Sequence, residues 1–203
     1  MSGITIWHGS RRWDGSPEIR PTKKGQYECG PGIYCTTNLN TASKYSKGGG
    51  RIIRFTLDSE ITWLEDASLP FDDVLAFVEG SRHIHKRRIL AADIRDVFDR
   101  RDQVRTSGMM PLSYLVNLAI NNECLSGNGG PELAEYLVDN GVQASLYHRS
   151  ANDDWVVIFD PRAITNVELL STKDIDWKED QLPLVTEQLE ALANVSGPSV
   201  PAL

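Results

Sequence analysis

Short runs of apolar residues with strand-like spacing occur near both ends of the chain, and helical spacing fills the middle. The strand-like runs are rich in Ile, Val, Trp, Tyr and Thr, residues that favour a pleated backbone. They span residues 3–8, 32–37, 51–57, 143–149, 154–160 and 164–171. The pattern therefore predicts two groups of strands separated by a long segment of another kind.

That middle segment, from about 70 to 140, has apolar residues at intervals of three and four, which indicates helices. Its last helix is expected to begin at Pro131 and to end at Asn140-Gly141, since these residue types favour helix starts and stops. A shorter helix is predicted over 39–47, with Asn38 as its N-cap.

The order of these elements predicts an α+β domain built on a mostly antiparallel sheet. We expect one domain over residues 1–172, with the segment 70–140 as a helical insert. Residues 173–203 are expected to form a C-terminal helix followed by a disordered tail, because apolar residues at helical spacing give way there to Gly, Pro and Ser.

Composition excludes several classes of protein. The chain has 203 residues, 40% of them hydrophobic, and no apolar run approaches the ~20 residues of a membrane-spanning helix. The first residues lead directly into a strand, so export through a secretory signal is not expected. Cys29, Cys35 and Cys124 lack paired spacing. These features predict a cytoplasmic protein with reduced thiols and no membrane partner.

Charge is unevenly distributed around a net value of −7. Residues 11–24 carry five Arg or Lys against two acids, and residues 82–105 carry eight against four. From Asp153 to the end, ten acids oppose three bases. The two basic segments suit a phosphate-bearing ligand such as RNA or DNA, whereas the acidic end suits a basic partner; scattered solvated charge is the simpler alternative.

Within the second basic segment, His83 and His85 stand one residue apart in HIHKRR. Two imidazoles at this spacing could bind one metal ion together. However, no third ligand lies nearby in sequence, and the adjacent Lys and Arg repel a cation. We therefore expect no metal.

Two motifs near the N-terminus point to a known family. IWHGSR ends the first strand, and GPGIYCTTNLNTASKY runs through the second strand and the helix after it. Together they resemble the NAD-binding signature of ADP-ribosyltransferases, in the His-Tyr-Glu branch of the poly-ADP-ribose polymerases and diphtheria toxin. Tyr34 and Tyr45 are eleven residues apart, as in that branch. The likeness covers about 60 residues closely and the last strands loosely.

The resemblance implies a role for each matching residue. Gly9 would present its backbone N–H and C=O to the nicotinamide carboxamide, and His8 would bind a hydroxyl of the adenosine ribose. Tyr34 and Tyr45 would enclose the nicotinamide ring. Ser10 would either assist the carboxamide or cap a turn. Ala42 stands where the related polymerases carry a carboxamide-binding Ser, so that contact is lost here or shifted to Thr41 or Ser43.

The acidic residue of the triad is harder to place, since the family has a Glu at the start of a late strand. This chain reads NDDWVVIFDP over 152–161, with no Glu. Asp154 is the first candidate and Asp153 the second, because the segment is one residue longer than the family pattern and its register is open. The missing Glu favours transfer of a single ADP-ribose over polymer elongation.

The resemblance predicts an ADP-ribosyltransferase-like split sheet and a mono-ADP-ribosyltransferase that consumes NAD as co-substrate. Its acceptor would be a protein or a nucleic acid (mRNA or DNA), and its context a bacterial toxin, anti-phage or phage effector with an antitoxin or chaperone as a further partner. Two alternatives use the same site: a non-catalytic module that binds NAD or ADP-ribose, and a NAD glycohydrolase with water as acceptor.

Overall fold

The structure, a computed structural model, describes residues 3–21, 27–46, 50–170, 175–176 and 181–196. Within them it contains eight β-strands and seven α-helices. The strands are β1 (Ile4–Ser10), β2 (Ile33–Thr36), β3 (Arg51–Leu57), β4 (Ser68–Pro70), β5 (Met109–Pro111), β6 (Ala144–Ser150), β7 (Asp153–Ile158) and β8 (Ile164–Leu170). The helices are α1 (Leu39–Tyr45), α2 (Phe71–Gly80), α3 (Arg87–Arg100), α4 (Asp102–Ser107), α5 (Leu112–Asn121), α6 (Gly129–Asp139) and α7 (Val185–Ser196).

Six strands form one antiparallel sheet in the order β6-β7-β2-β1-β3-β8. β1 pairs with β3 along its whole length, from Ile4↔Leu57 to Ser10↔Arg51. In contrast, among the described residues β1 meets β2 at the single pair Trp7↔Thr36. The two halves of the sheet therefore separate beyond this pair.

Helices cover both faces of the sheet. The insert α2–α6 forms a large apolar core that includes Val157 of β7 and packs against Tyr34 of β2. On the opposite face, Val185, Leu189 and Leu192 of α7 pack with the second cluster of buried strand residues. Alternation along the strands accounts for this division, because neighbouring side chains point to opposite faces.

Helix α7 is held to the sheet by polar contacts as well. The backbone N–H of Val185 donates to the Asp154 carboxylate at 2.8 Å. The side-chain amide of Gln188 binds Thr5 twice: its Oε1 accepts from the Thr5 N–H at 2.7 Å, and its Nε2 donates to the Thr5 C=O at 3.0 Å. These contacts fix where α7 begins and how it lies across the edge of β1.

The α+β class and the mostly antiparallel sheet are confirmed. Asn38 caps α1 as predicted, accepting from the Thr41 N–H at 3.1 Å. Helix α6 begins at Gly129, two residues before the predicted start at Pro131, and it ends at Asp139 with Asn140 as C-cap, at the predicted stop. Of the expected disordered tail, residues 196–203, Ser196 ends α7, and the rest lies outside the described residues, as does part of the basic segment 11–24.

Among the helices described, none has both the length and the apolar character required to cross a bilayer.

Candidate functional site

A cleft opens where β1 and β2 separate. Its inner part is a cavity of ≈ 70 Å³, and it adjoins an open groove of ≈ 580 Å³ that runs beneath the loop after β1. His8, Tyr34 and Tyr45 line both spaces. The remaining residues of the inner cavity are Trp7, Gly9, Cys35, Thr36, Thr41, Ala42 and Trp155. The residues singled out in the two N-terminal motifs therefore meet in one place.

The backbone of Gly9 presents a hydrogen-bonding edge to this cleft. In an antiparallel strand, backbone groups of alternate residues turn to the same side. Thr5 turns away from β3, since Gln188 binds both its N–H and its C=O, and Trp7 pairs with β2. Gly9 continues this alternation, but in the described part of the chain β2 pairs no further along β1. Its N–H and C=O thus face the cleft.

Thr5 shows what such an edge binds. There the N–H and C=O of one residue take both ends of a primary amide, the side chain of Gln188, at 2.7 and 3.0 Å. Gly9 offers the same donor and acceptor four residues further along the same edge. A carboxamide in the cleft would therefore find at Gly9 the pair of groups that Gln188 finds at Thr5.

The absence of a side chain at Gly9 has a packing cause. A Cβ built on Gly9 would lie 1.8 Å from the carbonyl oxygen of Ala42 and 3.1 Å from Tyr45 Cβ. Helix α1 therefore rests directly on the β1 backbone, which only glycine permits. This contact brings Ala42 and Tyr45 to the cleft wall.

His8 is fixed as a neutral imidazole. Its Nδ1–H donates to the Tyr34 carbonyl at 2.8 Å, and its ring stacks on Phe55 with centroids 5.5 Å apart. Burial lowers the pKa of His8 below its ordinary 6.5, and the hydrogen bond to Tyr34 offsets this only in part. With Nδ1 carrying the proton, Nε2 is an acceptor suited to a hydroxyl.

This arrangement predicts a pH-dependent contribution of His8 to stability. The folded state binds the His8 proton less readily than the unfolded chain, so the contribution to the free energy of unfolding falls as pH drops below 6.5. We compare urea unfolding of wild type and His8→Gln between pH 7.5 and 5.5. The unfolding free energy of wild type, relative to that of the variant, should decrease as pH falls. A difference that stays constant with pH would contradict a depressed His8 pKa.

Aromatic rings form the walls of the cleft. Tyr34 and Trp155 meet edge to face, with centroids 6.5 Å apart and planes at 78°, while Tyr45 is 54% exposed at the rim. The Tyr34 hydroxyl donates to the Gly30 carbonyl at 2.9 Å and accepts from the Cys29 N–H at 3.0 Å. Burial raises the pKa of Tyr34, so its phenol stays protonated. Tyr34 therefore supplies a ring and not a base.

Asp153 lies on the cleft side of β7. It shares a face with Trp155, which is paired with the cleft residue Thr36. The Asp153 carboxylate accepts hydrogen bonds from the hydroxyls of Thr36 and Thr41, the latter at 2.9 Å, and is 6% exposed. Since both threonines line the cavity, Asp153 stands directly behind its wall.

Asp154, the first candidate from sequence, faces the other way. Its side chain is fully buried on the α7 side, where it accepts from the Val185 N–H and contacts His148 Nδ1 at 2.7 Å. The reason is the register of β7, which pairs Thr36 with Trp155 and so turns Asp153 towards the cleft and its neighbour away from it. Of the two candidates, Asp153 is therefore the one on the cleft side of β7, and Asp154 lies on the opposite face.

The other candidate residues are also placed. Ser10 caps a turn: its hydroxyl donates to the Arg12 carbonyl at 2.8 Å and accepts from the Arg12 N–H at 3.3 Å. Ala42 is buried in the cleft wall. Beside it, Thr41 lines the cavity and donates its hydroxyl to Asp153, whereas the Ser43 hydroxyl bonds back to the Asn40 carbonyl.

His83 and His85 are exposed residues outside the cleft. In the part of the chain that the structure describes, no group of three or more His, Cys, Asp or Glu side chains converges as a metal ion would require.

Sequence reasoning missed Trp155 and Thr36. Arg149 stacks its guanidinium over the Trp155 ring, 4.1 Å from the centroid, and so holds the indole at the cavity. Trp155 lies two residues after Asp153, so alternation along the strand puts both side chains on the same face. That this face meets the cleft follows from the pairing of β7 with β2, which the pattern of apolar residues does not reveal.

No protein-family model, curated protein or solved structure matches this chain.

Proposed function

We propose that this protein is a mono-ADP-ribosyltransferase, which cleaves NAD and transfers ADP-ribose to a macromolecular acceptor. The proposal depends on one observation: the backbone N–H and C=O of Gly9, at the edge of β1, face an aromatic cleft. Three features support nicotinamide as the occupant: a carboxamide matches the Gly9 edge, a flat ring matches Tyr34 and Trp155, and Tyr45 can cover it from the rim.

The rest of the dinucleotide would follow the groove. His8 lines both the inner cavity and the groove, and its neutral Nε2 is available as an acceptor for a ribose hydroxyl. The groove volume of ≈ 580 Å³ falls within the range of ligand pockets in proteins. The parting of β1 and β2 supports an ADP-ribosyltransferase-like split sheet as the frame of this site.

In the reaction, the bond between nicotinamide and ribose C1′ breaks, and both electrons leave with the nicotinamide nitrogen. The acceptor then forms a bond to C1′ and releases its proton. Because positive charge develops on the ribose, a nearby carboxylate lowers the barrier. We assign this role to Asp153. Each of its oxygens accepts one bond from a threonine and retains capacity for another.

The test is transfer of label from NAD. Purified protein is incubated with NAD radiolabelled in the adenylate phosphate and a bacterial lysate, and the labelled product is divided between nuclease and protease. Label that enters macromolecules and is removed by one of the two treatments supports the transferase and identifies the acceptor class. Nicotinamide release without labelled product would instead identify a NAD glycohydrolase.

One observation favours a second candidate, a module that binds NAD without cleaving it. Both oxygens of Asp153 are already bonded by Thr36 and Thr41, and these side chains stand between the carboxylate and the cavity. An Asp is also one methylene shorter than the Glu of the family. NAD binding with neither nicotinamide release nor label transfer would favour this module over the transferase.

A further inference from the structure

A second concave surface lies on the helical insert, between α2 and α3. It is a hollow of ≈ 330 Å³ lined by Arg87, Arg88, Ala91 and Arg95 of α3 and by Glu79 of α2. Three arginines thus converge on a space that contains one carboxylate. We refer to it as the arginine hollow.

The arginines differ in how they are held. Arg95 pairs with Glu79. Arg87 donates from Nη1 to the Ser81 carbonyl at 2.6 Å, which fixes its guanidinium, and the described part of the chain gives it no carboxylate partner. Arg88 is exposed, and the described residues give it no ion-pair partner. Among the described residues, the hollow therefore holds two guanidinium charges beyond the one that Glu79 balances.

Two acids that neighbour these arginines are bonded elsewhere: Glu132 binds Ser81, whose carbonyl holds Arg87, and Asp93 lies on α3 itself. Glu132 accepts from the N–H groups of Arg82 and His83 at 3.0 and 2.9 Å and from the Ser81 hydroxyl. Although burial opposes it, these bonds lower the pKa of Glu132 and keep it ionised in that role. Asp93 accepts from Asn122 Nδ2 at 2.7 Å. These acids do not reach into the hollow to neutralise it.

We propose that the arginine hollow docks the phosphate backbone of a nucleic acid strand. Guanidinium groups bind phosphate oxygens in a bidentate manner, and closely spaced arginines are the usual basis of backbone contacts. Arg82, which follows the Ser81 whose carbonyl holds Arg87, is also exposed. An acidic protein is the less fitting occupant, because protein interfaces need an apolar centre and the hollow has only Ala91 in that role.

This surface also indicates which class of molecule would receive ADP-ribose at the cleft. A nucleic acid held at the hollow would be the molecule that receives ADP-ribose, and this second step rests on the proposed function. The docking surface itself does not rest on the proposed function, because binding of a phosphate backbone requires no NAD.

The experiment measures binding of fluorescein-labelled 20-nucleotide RNA and DNA single strands to the full chain by fluorescence anisotropy, without NAD, between 50 and 200 mM NaCl. The test variant is Arg87→Gln/Arg88→Gln. The control is Arg100→Gln/Arg105→Gln, which removes the same charge from arginines of the insert that pair with Asp96 and Asp102. Arg88→Gln alone serves where the double variant unfolds at a lower temperature than wild type.

Wild type should bind at least one of the two probes with affinity that falls as salt rises. The test variant should bind about fivefold to tenfold more weakly, with a salt slope shallower by about 1.4, or about 0.7 for each lost phosphate contact. The control should keep the wild-type slope. Equal losses in both variants, or no binding of either probe, would overturn the proposal.

Tighter binding of the RNA or of the DNA probe would identify which nucleic acid the arginine hollow binds. Binding of a poly-glutamate peptide in place of both probes, lost in the test variant, would overturn the nucleic acid assignment in favour of an acidic protein. If the oligonucleotides bind at the hollow and no ADP-ribose is transferred, the surface stands and the proposed function fails. If label is transferred from NAD but neither oligonucleotide binds, the proposed function stands and the docking surface fails.

Discussion

Asp153→Asn is expected to lower transfer of ADP-ribose from NAD by about 10²–10³-fold, the usual cost of removing a group that stabilises charge in a transition state. The variant keeps the shape of the side chain and removes its charge. Asn can still accept from Thr36 or Thr41 through its carbonyl oxygen, so the cavity wall should persist. The measurement is the rate of nicotinamide release and label transfer at saturating NAD, with the NAD Kd determined in parallel.

Asp154→Asn is the matched control, since it removes the same charge one residue away on the opposite face of β7. It should retain transfer within about threefold of wild type. Asp154 is fully buried and bonded to the start of α7, so this variant should be less stable, and its activity is measured well below its unfolding temperature. If Asp154→Asn abolishes transfer and Asp153→Asn preserves it, the placement of the reactive carboxylate is wrong.

Gly9→Ala is expected to weaken NAD binding by more than about tenfold. The added Cβ would lie 1.8 Å from the Ala42 carbonyl oxygen, so helix α1 must move away from β1. Tyr45 and Thr41 move with that helix, and the cleft loses its rim and part of its wall. Overpacking of this kind costs about 1–3 kcal/mol of stability. Titration of NAD followed by calorimetry, with thermal unfolding of the same sample, measures both effects.

Gly80→Ala is the control for the glycine substitution. A Cβ at Gly80, the last residue of α2, would meet no atom within 4 Å, so binding and stability should both stay near wild type. A Gly9→Ala protein that binds NAD with wild-type affinity would show that the contact between α1 and β1 does not shape the ligand site.

Much of the fold follows from the alternation of apolar residues. β3 spans the predicted residues 51–57, and β6, β7 and β8 lie within one or two residues of their predicted ranges. β3, β6 and β7 carry buried apolar residues, which give a clear signal, whereas β8 at the sheet edge has no buried residue and is indicated by its Ile, Thr, Val and Leu content. β4 and β5 were not predicted, because three residues are too few to show a period. Their pairing depends on helices that bring them together.

The N-terminal part of the site was predicted through a resemblance carried by two short motifs. His8 and Gly9 lie near the end of β1, Tyr34 and Tyr45 lie in β2 and α1, and their likeness to the ADP-ribosyltransferase signature predicted that they meet. The choice between Asp153 and Asp154 was not local. Neighbouring residues of a strand face opposite sides, and the side that meets the cleft is decided by pairing with β2, about 120 residues earlier in the chain.

The role of Gly9 also needed tertiary contacts. Sequence alone indicates that a small residue stands at the end of β1, but not that α1 rests upon it at Ala42. Nor does it show that Gln188, in the C-terminal helix, binds the same strand edge at Thr5 and thereby reveals the direction of the Gly9 backbone groups. These contacts connect segments far apart in the chain, which no local pattern records.

Recognition of a carboxamide at Gly9 is the central requirement of the proposed function, and comparison of nicotinamide with nicotinate tests it directly. The two ligands share the ring and differ in the group that meets the strand edge: a carboxylate cannot donate to the Gly9 C=O, and its charge is poorly accommodated among aromatic walls. Isothermal calorimetry should show nicotinamide binding at least about tenfold more tightly than nicotinate. Equal affinities, or tighter binding of nicotinate, would contradict the assignment of the cleft to the nicotinamide end of NAD.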